Sequence, residues 1–192
     1  MSSWPSVGSM QPQEHAVGRV ERIWIYPVRS LAGRELTDAE VSPGGLAGDR
    51  AWTVTGEDGS VIRPKEAPAM RDVAPSGDPT ADAGRLAAVL GRPVRLQPTS
   101  GARPDVAPVH LVSRQAVERA AAGELPEGCS AEDPRANLLL TLDGDERAWV
   151  GRDLRVGEVL LRVTRTPKHC LGVYADVVAP GAVRTGDPVL LV

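Results

Sequence analysis

Hydrophobic and polar residues alternate along much of the chain, in short segments separated by turn-forming residues. Residues 19–25 alternate imperfectly, as expected of a strand with one buried face. The Asp58-Gly59 pair predicts a hairpin between the apolar segments 50–55 and 60–63. The other strand-like segments are 34–41, 109–112, 137–142, 158–164, 171–178 and 188–192. This pattern predicts a mainly β protein.

Two segments have helical periodicity. Residues 81–90 place Leu86, Val89 and Leu90 on one face, and Gly91 is a common helix-ending residue. Residues 114–122 follow Ser113, a good N-terminal cap. Residues 1–16 are polar and aperiodic, which favours a flexible leader, with regular structure from Gly18. Several short strands and a few short helices indicate a closed or nearly closed β-barrel.

Composition narrows the way in which this core is built. The chain has no Phe, four Trp and two Tyr among 192 residues. The core must therefore consist mainly of Val, Leu, Ile and Ala, which suits packed strands. The 20 Gly and 17 Pro agree with many turns.

Charge and cysteine content exclude several classes of protein. A net charge of −3 with mixed signs gives no basic face for nucleic acid. No apolar run approaches the roughly 20 residues that span a bilayer, and the first residues do not form a signal peptide. Two cysteines do not make a disulfide framework. We expect a cytoplasmic protein without a membrane partner.

The segment 166–174 holds the main candidate for chemistry. Cys170 follows Lys168 and His169, between two predicted strands. Neighbouring positive charge stabilises a thiolate, which attacks electrophiles and binds soft metals. The alternative is that Cys170 is a small apolar residue of a strand, which is the common role of a single cysteine. Cys129 has no such neighbours and is expected to be inert.

Three arginines adjoin turns rather than periodic faces: Arg29, Arg50 and Arg135. A guanidinium so placed can project into a pocket and grip an anion with two hydrogen bonds. The alternative for each is a solvated surface side chain. His110 lies within an apolar run, so we expect it to be a buried strand histidine rather than a ligand.

Six ordered motifs, read together, resemble the MOSC superfamily (molybdenum cofactor sulfurase C-terminal domain) over nearly the whole chain after the leader. The motifs are Ile23-Trp24-Ile25-Tyr26-Pro27-Val28-Arg29-Ser30, Gly45-Leu46-Ala47-Gly48-Asp49-Arg50-Ala51-Trp52, Arg135-Ala136-Asn137, Trp149-Val150-Gly151-Arg152, His169-Cys170 and Val183-Arg184-Thr185-Gly186-Asp187-Pro188-Val189. The resemblance implies a MOSC-type β-barrel core in residues 101–192, packed with an N-terminal β-barrel-like region in residues 17–100.

The resemblance also implies a function. Enzymes of the family bind the molybdenum cofactor, a pterin with dithiolene sulfurs and a phosphate, and reduce N-hydroxylated compounds with electrons from a partner protein. It makes Cys170 the metal ligand and catalytic residue. The residues that it offers for phosphate and pterin are Arg29, Ser30, Arg50, Arg135, Asn137, Lys168 and His169. Two cysteines are too few for an iron–sulfur cluster, so electrons must come from a separate donor.

The chain departs from the family pattern in ways that keep two alternatives open. Arg29 replaces a lysine, His169 replaces an arginine, and Asp105 lacks the hydroxyl residues that usually follow it. One alternative is a carrier of sulfur or of the cofactor, without redox turnover, which receives a persulfide on Cys170 from a cysteine desulfurase. The other is a barrel that has lost its site.

Overall fold

The computed structural model describes residues 14–99, 107–125 and 134–192. Thirteen strands occur in these ranges: β1 His15–Ile25, β2 Arg34–Leu36, β3 Asp38–Ser42, β4 Gly45–Leu46, β5 Trp52–Thr55, β6 Arg95–Pro98, β7 Val109–Ser113, β8 Leu138–Leu142, β9 Asp153–Val156, β10 Val159–Arg165, β11 Val173–Ala179, β12 Gly181–Arg184 and β13 Pro188–Leu191. Two α-helices accompany them, α1 Pro79–Leu90 and α2 Arg114–Ala121, with short 3-10 helices at Pro68–Asp72 and Glu146–Trp149. The fold is therefore mainly β, as predicted.

Seven strands form a closed barrel. Their order is β13-β9-β10-β11-β7-β8-β1, and β1 pairs with β13 to complete the ring. Neighbouring strands are antiparallel except β7 and β8, which are parallel. The long strand β1 pairs with both neighbours, and its register shifts between Ala16 and Gly18 against β13 and between Val20 and Arg22 against β8. The predicted barrel is confirmed.

The barrel interior is filled by aliphatic side chains. Alternate residues of its strands point inward, so that Leu140 and Leu142 in β8 and Leu161 and Val163 in β10 are buried together. Trp149 is the one aromatic member of this cluster among the described residues. The expected core of Val, Leu, Ile and Ala is the one observed.

A second hydrophobic cluster lies outside the barrel. It includes Leu31, Val54, Met70 and Leu86, which come from β5, α1 and the connections around them. Strand β5 forms its longer ladder with β6. The predicted hairpin is present only near its tip, where the Ile62 N–H donates to the Val54 carbonyl over 3.0 Å. The turn at Asp58 does form, but residues 55 and 61 share a single bridge. Turn chemistry identified the bend, whereas the choice of partner depended on tertiary packing.

The predicted ends of the helices agree closely with the structure. The Asp78 side chain accepts hydrogen bonds from the backbone N–H groups of Thr80 and Ala81 at the start of α1, and Gly91 ends the helix with φ 64°. Ser113 Oγ accepts from the Ala116 N–H, 3.0 Å away, at the start of α2. Neither helix, nor any other in the described ranges, is long and apolar enough to cross a bilayer.

Two expectations concern residues that the structure describes only in part. Strand β1 begins at His15, three residues before the predicted start, and takes in the last two residues of the predicted leader. Residues 1–13, Cys129 and the predicted division at residue 100 lie outside the described ranges. The division into 17–100 and 101–192 stays a prediction, and β1 pairs across it with β8 and β13.

Candidate functional site

The candidate site begins with two chain segments that run side by side. Tyr26 follows β1 and Arg50 precedes β5, and the Arg50 N–H donates to the Tyr26 carbonyl over 2.8 Å. The Arg29 N–H donates in turn to the Trp52 carbonyl over 2.7 Å. These bonds hold the Tyr26–Arg29 and Arg50–Trp52 backbones together, so Arg29 and Arg50 lie on neighbouring segments.

Asp49 holds the side chain of Arg50. Its Oδ1 accepts a hydrogen bond from the Tyr26 N–H over 2.7 Å, and its Oδ2 forms an ion pair with the Arg50 guanidinium. Arg50 Nη2 also donates to the carbonyl oxygen of Arg135 over 3.2 Å. A guanidinium held from two sides keeps a fixed direction, which favours bidentate contact with an anion. Asp49 also neutralises part of its charge.

The Tyr26 ring contacts both Arg135 and Arg50. The Arg135 guanidinium carbon lies 4.1 Å from the centre of the Tyr26 ring, and that of Arg50 lies 5.3 Å from it. Both distances are within the range of cation–π attraction. Two arginines from distant parts of the sequence therefore converge on one ring. Sequence reasoning used Tyr26 as part of a motif but did not assign it to the site.

The backbone at this site is strained. Among the described residues, three that are not glycine have positive φ: Ser30 at 79°, Arg50 at 51° and Arg135 at 51°. All three belong to the set that the resemblance offered for phosphate and pterin. Such conformations cost about 1–3 kcal/mol each and cluster at functional sites. Ser30 is in the turn closed by the Leu31 N–H donating to the Val28 carbonyl, at a position that ordinarily takes glycine.

Cys170 approaches this group from the β10–β11 connection. Its thiol is half-buried and donates a hydrogen bond to the Pro134 carbonyl oxygen, with 3.4 Å between the heavy atoms. Pro134 precedes Arg135, so the thiol, Arg135, Arg50 and Tyr26 form a connected series. The structure thus brings together residues that are far apart in the sequence and that the resemblance had grouped.

A cavity of about 170 Å³ opens beside the thiol. Besides Cys170 it is lined by charged side chains that sequence analysis did not single out: Arg119, Glu124, Asp145 and Arg147. No pattern in the sequence connects these side chains to Cys170, because α2 brings Arg119 there only once it packs on the barrel. The cavity is smaller than most ligand pockets, which measure about 300–1,000 Å³.

The remaining predicted residues have different surroundings. Asn137 is fully buried; its Oδ1 accepts from the His110 N–H over 3.1 Å and its Nδ2 donates to the Trp24 carbonyl over 3.3 Å. It thereby links the entry of β8 to β7 and β1, and its role toward a cofactor stays a prediction. Lys168 and His169 are exposed. Residues 105 and 106 lie outside the described ranges.

The comparisons with known proteins agree with this fold. The MOSC N-terminal beta barrel domain model matches residues 17–121, which is more than half of the chain. The chain belongs to this family.

Curated relatives match over a shorter stretch. Human mitochondrial amidoxime reducing component 2 is 38% identical over 58 residues, 28% of this chain and 17% of that protein. Human mitochondrial amidoxime-reducing component 1 is 32% identical over 72 residues, 35% of this chain and 21% of that protein. The matches therefore span about a fifth of the relatives' length. Among solved structures, the YuaD protein from Bacillus subtilis has a TM-score of 0.55 at 15% identity, covering 93% of this chain and 97% of that one, which supports the fold alone.

Proposed function

We propose that this protein binds the molybdenum cofactor through Cys170 and reduces small N-hydroxylated compounds. The observation that carries the proposal is the position of the Cys170 thiol, which is hydrogen-bonded to Pro134 beside Arg135, while Arg135 and Arg50 converge on Tyr26. A soft ligand bonded to the residue that precedes one of two oriented arginines suits a metal cofactor that carries a phosphate. The similarity to amidoxime-reducing components supports the same substrate class.

The donor set fits the cofactor better than it fits a bare metal ion. Within the described ranges, no group of three or more His, Cys, Asp and Glu side chains could hold a metal. A metal at Cys170 would therefore need most of its ligands from the cofactor, whose dithiolene sulfurs can supply them. Arg50 and Arg135 would hold the phosphate, with Arg29 and Ser30 in the adjoining turn.

The bound cofactor would supply the electron transfer that cleaves an N–O bond, and the protein's residues would position the reactants. The 170 Å³ cavity beside Cys170 has room for a small reacting group and is lined by both cationic and anionic side chains. Reduction needs electrons, and two cysteines cannot supply the four thiolates of an ordinary iron–sulfur cluster. A separate electron-donor protein is therefore part of the proposal.

The metal and pterin contents of the purified protein test this proposal. Wild type and Cys170→Ser would be expressed in a host that makes the cofactor, with Cys129→Ser as the matched control. We expect about one molybdenum and one pterin in wild type and in the control, and loss of molybdenum from Cys170→Ser. Full metal loading of Cys170→Ser would refute Cys170 as ligand.

The arginines need a test of their own. Arg50→Ala and Arg135→Ala should lose pterin together with metal, because they remove charge that would hold the phosphate. Arg155→Ala is the control, since Arg155 lies in β9 and pairs with Glu14 over 2.8 Å. Equal pterin content in all three variants would remove the arginines from the proposal.

The small size of the cavity favours a second candidate, a sulfur carrier. A space of about 170 Å³ accommodates a persulfide on Cys170 more readily than a whole pterin. Wild type without bound molybdenum, incubated with a cysteine desulfurase and cysteine, should then gain a sulfur atom by intact mass spectrometry. No mass gain would count against the carrier.

A further inference from the structure

His110 connects the barrel wall to the segment that carries Cys170. It lies in β7, is only 4% exposed, and its Nε2 is 2.8 Å from the carbonyl oxygen of Leu171. A carbonyl oxygen can only accept, so Nε2 must carry the proton and donate. The bond therefore fixes the tautomer of His110 as well as the position of Leu171, the residue next to Cys170.

The surroundings of His110 hold its ring in place. Tyr174 is the residue opposite His110 across the β7–β11 pair, and the two ring centroids are 4.8 Å apart in an edge-on arrangement. The Asn137 side chain accepts the His110 backbone N–H. A ring supported by these neighbours is a rigid donor, since its rotamer is set by packing and by cross-strand contact.

The same segment touches β7 at a second point. Gly172 has φ 83°, and a Cβ at this position would lie 2.0 Å from the Leu111 carbonyl oxygen. The Cys170 segment therefore lies directly on the β7 backbone, and the His110 bond and this close contact act on consecutive residues. Together these two contacts fix the positions of residues 171 and 172, and so the place from which the Cys170 thiol reaches the Pro134 carbonyl.

We infer that His110 is a positioning residue for Cys170: it holds the Leu171 carbonyl and thereby keeps the thiol at Pro134, beside Arg135. The functional meaning of this inference rests on the proposed role of Cys170. The structural part of the inference does not rest on that role, because the position of the thiol is measurable without any cofactor.

Alkylation of Cys170 measures that position. The protein would be prepared without cofactor in a Cys129→Ser background, so that N-ethylmaleimide reports on Cys170 alone. His110→Leu removes the donor. Loss of one hydrogen bond should increase the fraction of molecules in which the chain around Cys170 is open, and with it the alkylation rate, about fivefold. His110→Gln keeps an N–H donor on a side chain of similar reach and should restore most of the protection.

Val109→Ala is the matched control for general weakening of β7. Val109 is buried in the barrel and lies opposite Ala175 in β11, five residues beyond Cys170. We expect Val109→Ala to lower the melting temperature. The alkylation rate should stay within about twofold of wild type, because the variant keeps the hydrogen bond from His110 to Leu171. An unchanged rate in His110→Leu, or an equal increase in Val109→Ala, would overturn the inference.

Nitrogen NMR of the wild type decides the matter if His110→Leu does not fold. The inference requires that His110 carry its proton on Nε2, with slow exchange of that proton. A histidine protonated on Nδ1 alone would contradict the bond to Leu171. Because neither measurement involves molybdenum, a failure here is distinct from a failure of metal loading.

Discussion

The Arg135 guanidinium lies over the face of the Tyr26 ring, with 4.1 Å from its central carbon to the ring centroid. Tyr26 is 5% exposed and follows β1, whereas Arg135 precedes β8. This contact orients an arginine that already adopts a strained backbone conformation. It also gives the site an aromatic element that does not depend on any ligand.

Two replacements of Tyr26 should distinguish the contribution of its ring to stability from that of its hydroxyl group. Tyr26→Phe keeps the surface over which both arginines lie and should lose less than about 1 kcal/mol of stability. Tyr26→Leu removes the cation–π contacts and part of the buried area, and should lose about 1–3 kcal/mol. Urea denaturation gives both values, and equal losses in the two variants would show that the ring face contributes nothing.

Ser30 offers a test of whether strain is retained for function. Ser30→Gly relieves a φ of 79° and should raise the free energy of unfolding by about 1 kcal/mol. Ser30→Ala keeps the strain but removes the hydroxyl group. If the hydroxyl serves a phosphate, both variants should lose pterin while only Ser30→Gly gains stability. A destabilised Ser30→Gly would mean that the turn is not strained.

Two glycines with similar backbone angles should respond very differently to alanine. Gly172 and Gly186 have φ of 83° and 91°, but a Cβ at Gly172 meets the Leu111 carbonyl at 2.0 Å, whereas Gly186 has nothing within 4 Å. Gly186→Ala should cost about 1–2 kcal/mol from φ alone. Gly172→Ala should cost roughly 1–3 kcal/mol more, since β7 must move. Thermal melting of the pair checks the difference.

Asp82 should make the protein sensitive to acid. Burial raises the pKa of Asp82, but hydrogen bonds from Ser76 and Arg85 outweigh that effect, so the pKa lies below its ordinary value of 3.8. A group whose pKa is lowered on folding stabilises the fold above its unfolded pKa, and that stability is lost as the pH falls through the folded value. The loss should therefore begin below about pH 4.

Asp82→Asn tests this assignment. The variant should be less stable near neutral pH by about 1.5–3 kcal/mol, the value of hydrogen bonds to a charged group. Its stability should then change less between pH 4 and pH 2 than that of wild type. Asp58→Asn is the comparison variant: hydrogen bonds from Ser60 also lower the pKa of Asp58, but Asp58 is exposed, so its replacement should change the acid profile less. Parallel acid profiles for Asp82→Asn and wild type would assign the acid sensitivity elsewhere.

Local patterns predicted the barrel and its helices because those elements depend on alternation, capping and turn residues. As their residue types predict, Ser113 caps the start of α2 with its hydroxyl group, and Gly91 ends α1 in a left-handed conformation. The pairing of β5 with β6 was not predictable in this way. Strand partners distant in sequence are chosen by packing, here around Leu86 and Met70, whereas the Asp-Gly turn accounts only for the short antiparallel bridge between residues 55 and 61.

The site was predictable only in part. The motifs identified Cys170, Arg50 and Arg135; Arg50 bonds to the Arg135 carbonyl, and the Cys170 thiol bonds to the carbonyl of the preceding Pro134. Arg119 and Arg147 were missed because nothing near them in the sequence marks them; they line the Cys170 cavity only through the packing of α2 and of the 3-10 helix Glu146–Trp149. Asn137 was chosen for polarity at a motif position, yet its amide is occupied by backbone groups.

Closure of the barrel has a consequence for the order of events in folding. Arg19 pairs with Pro188 and His15 with Leu191, so the last seam of the ring joins an early strand to a very late one. Until β13 has formed, the edge of β1 has unpaired backbone groups that another chain could pair with. Contacts so distant in sequence also slow folding. During synthesis this edge of β1 therefore stays unpaired until β13 has emerged, and the growing protein should be most prone to aggregation in that interval.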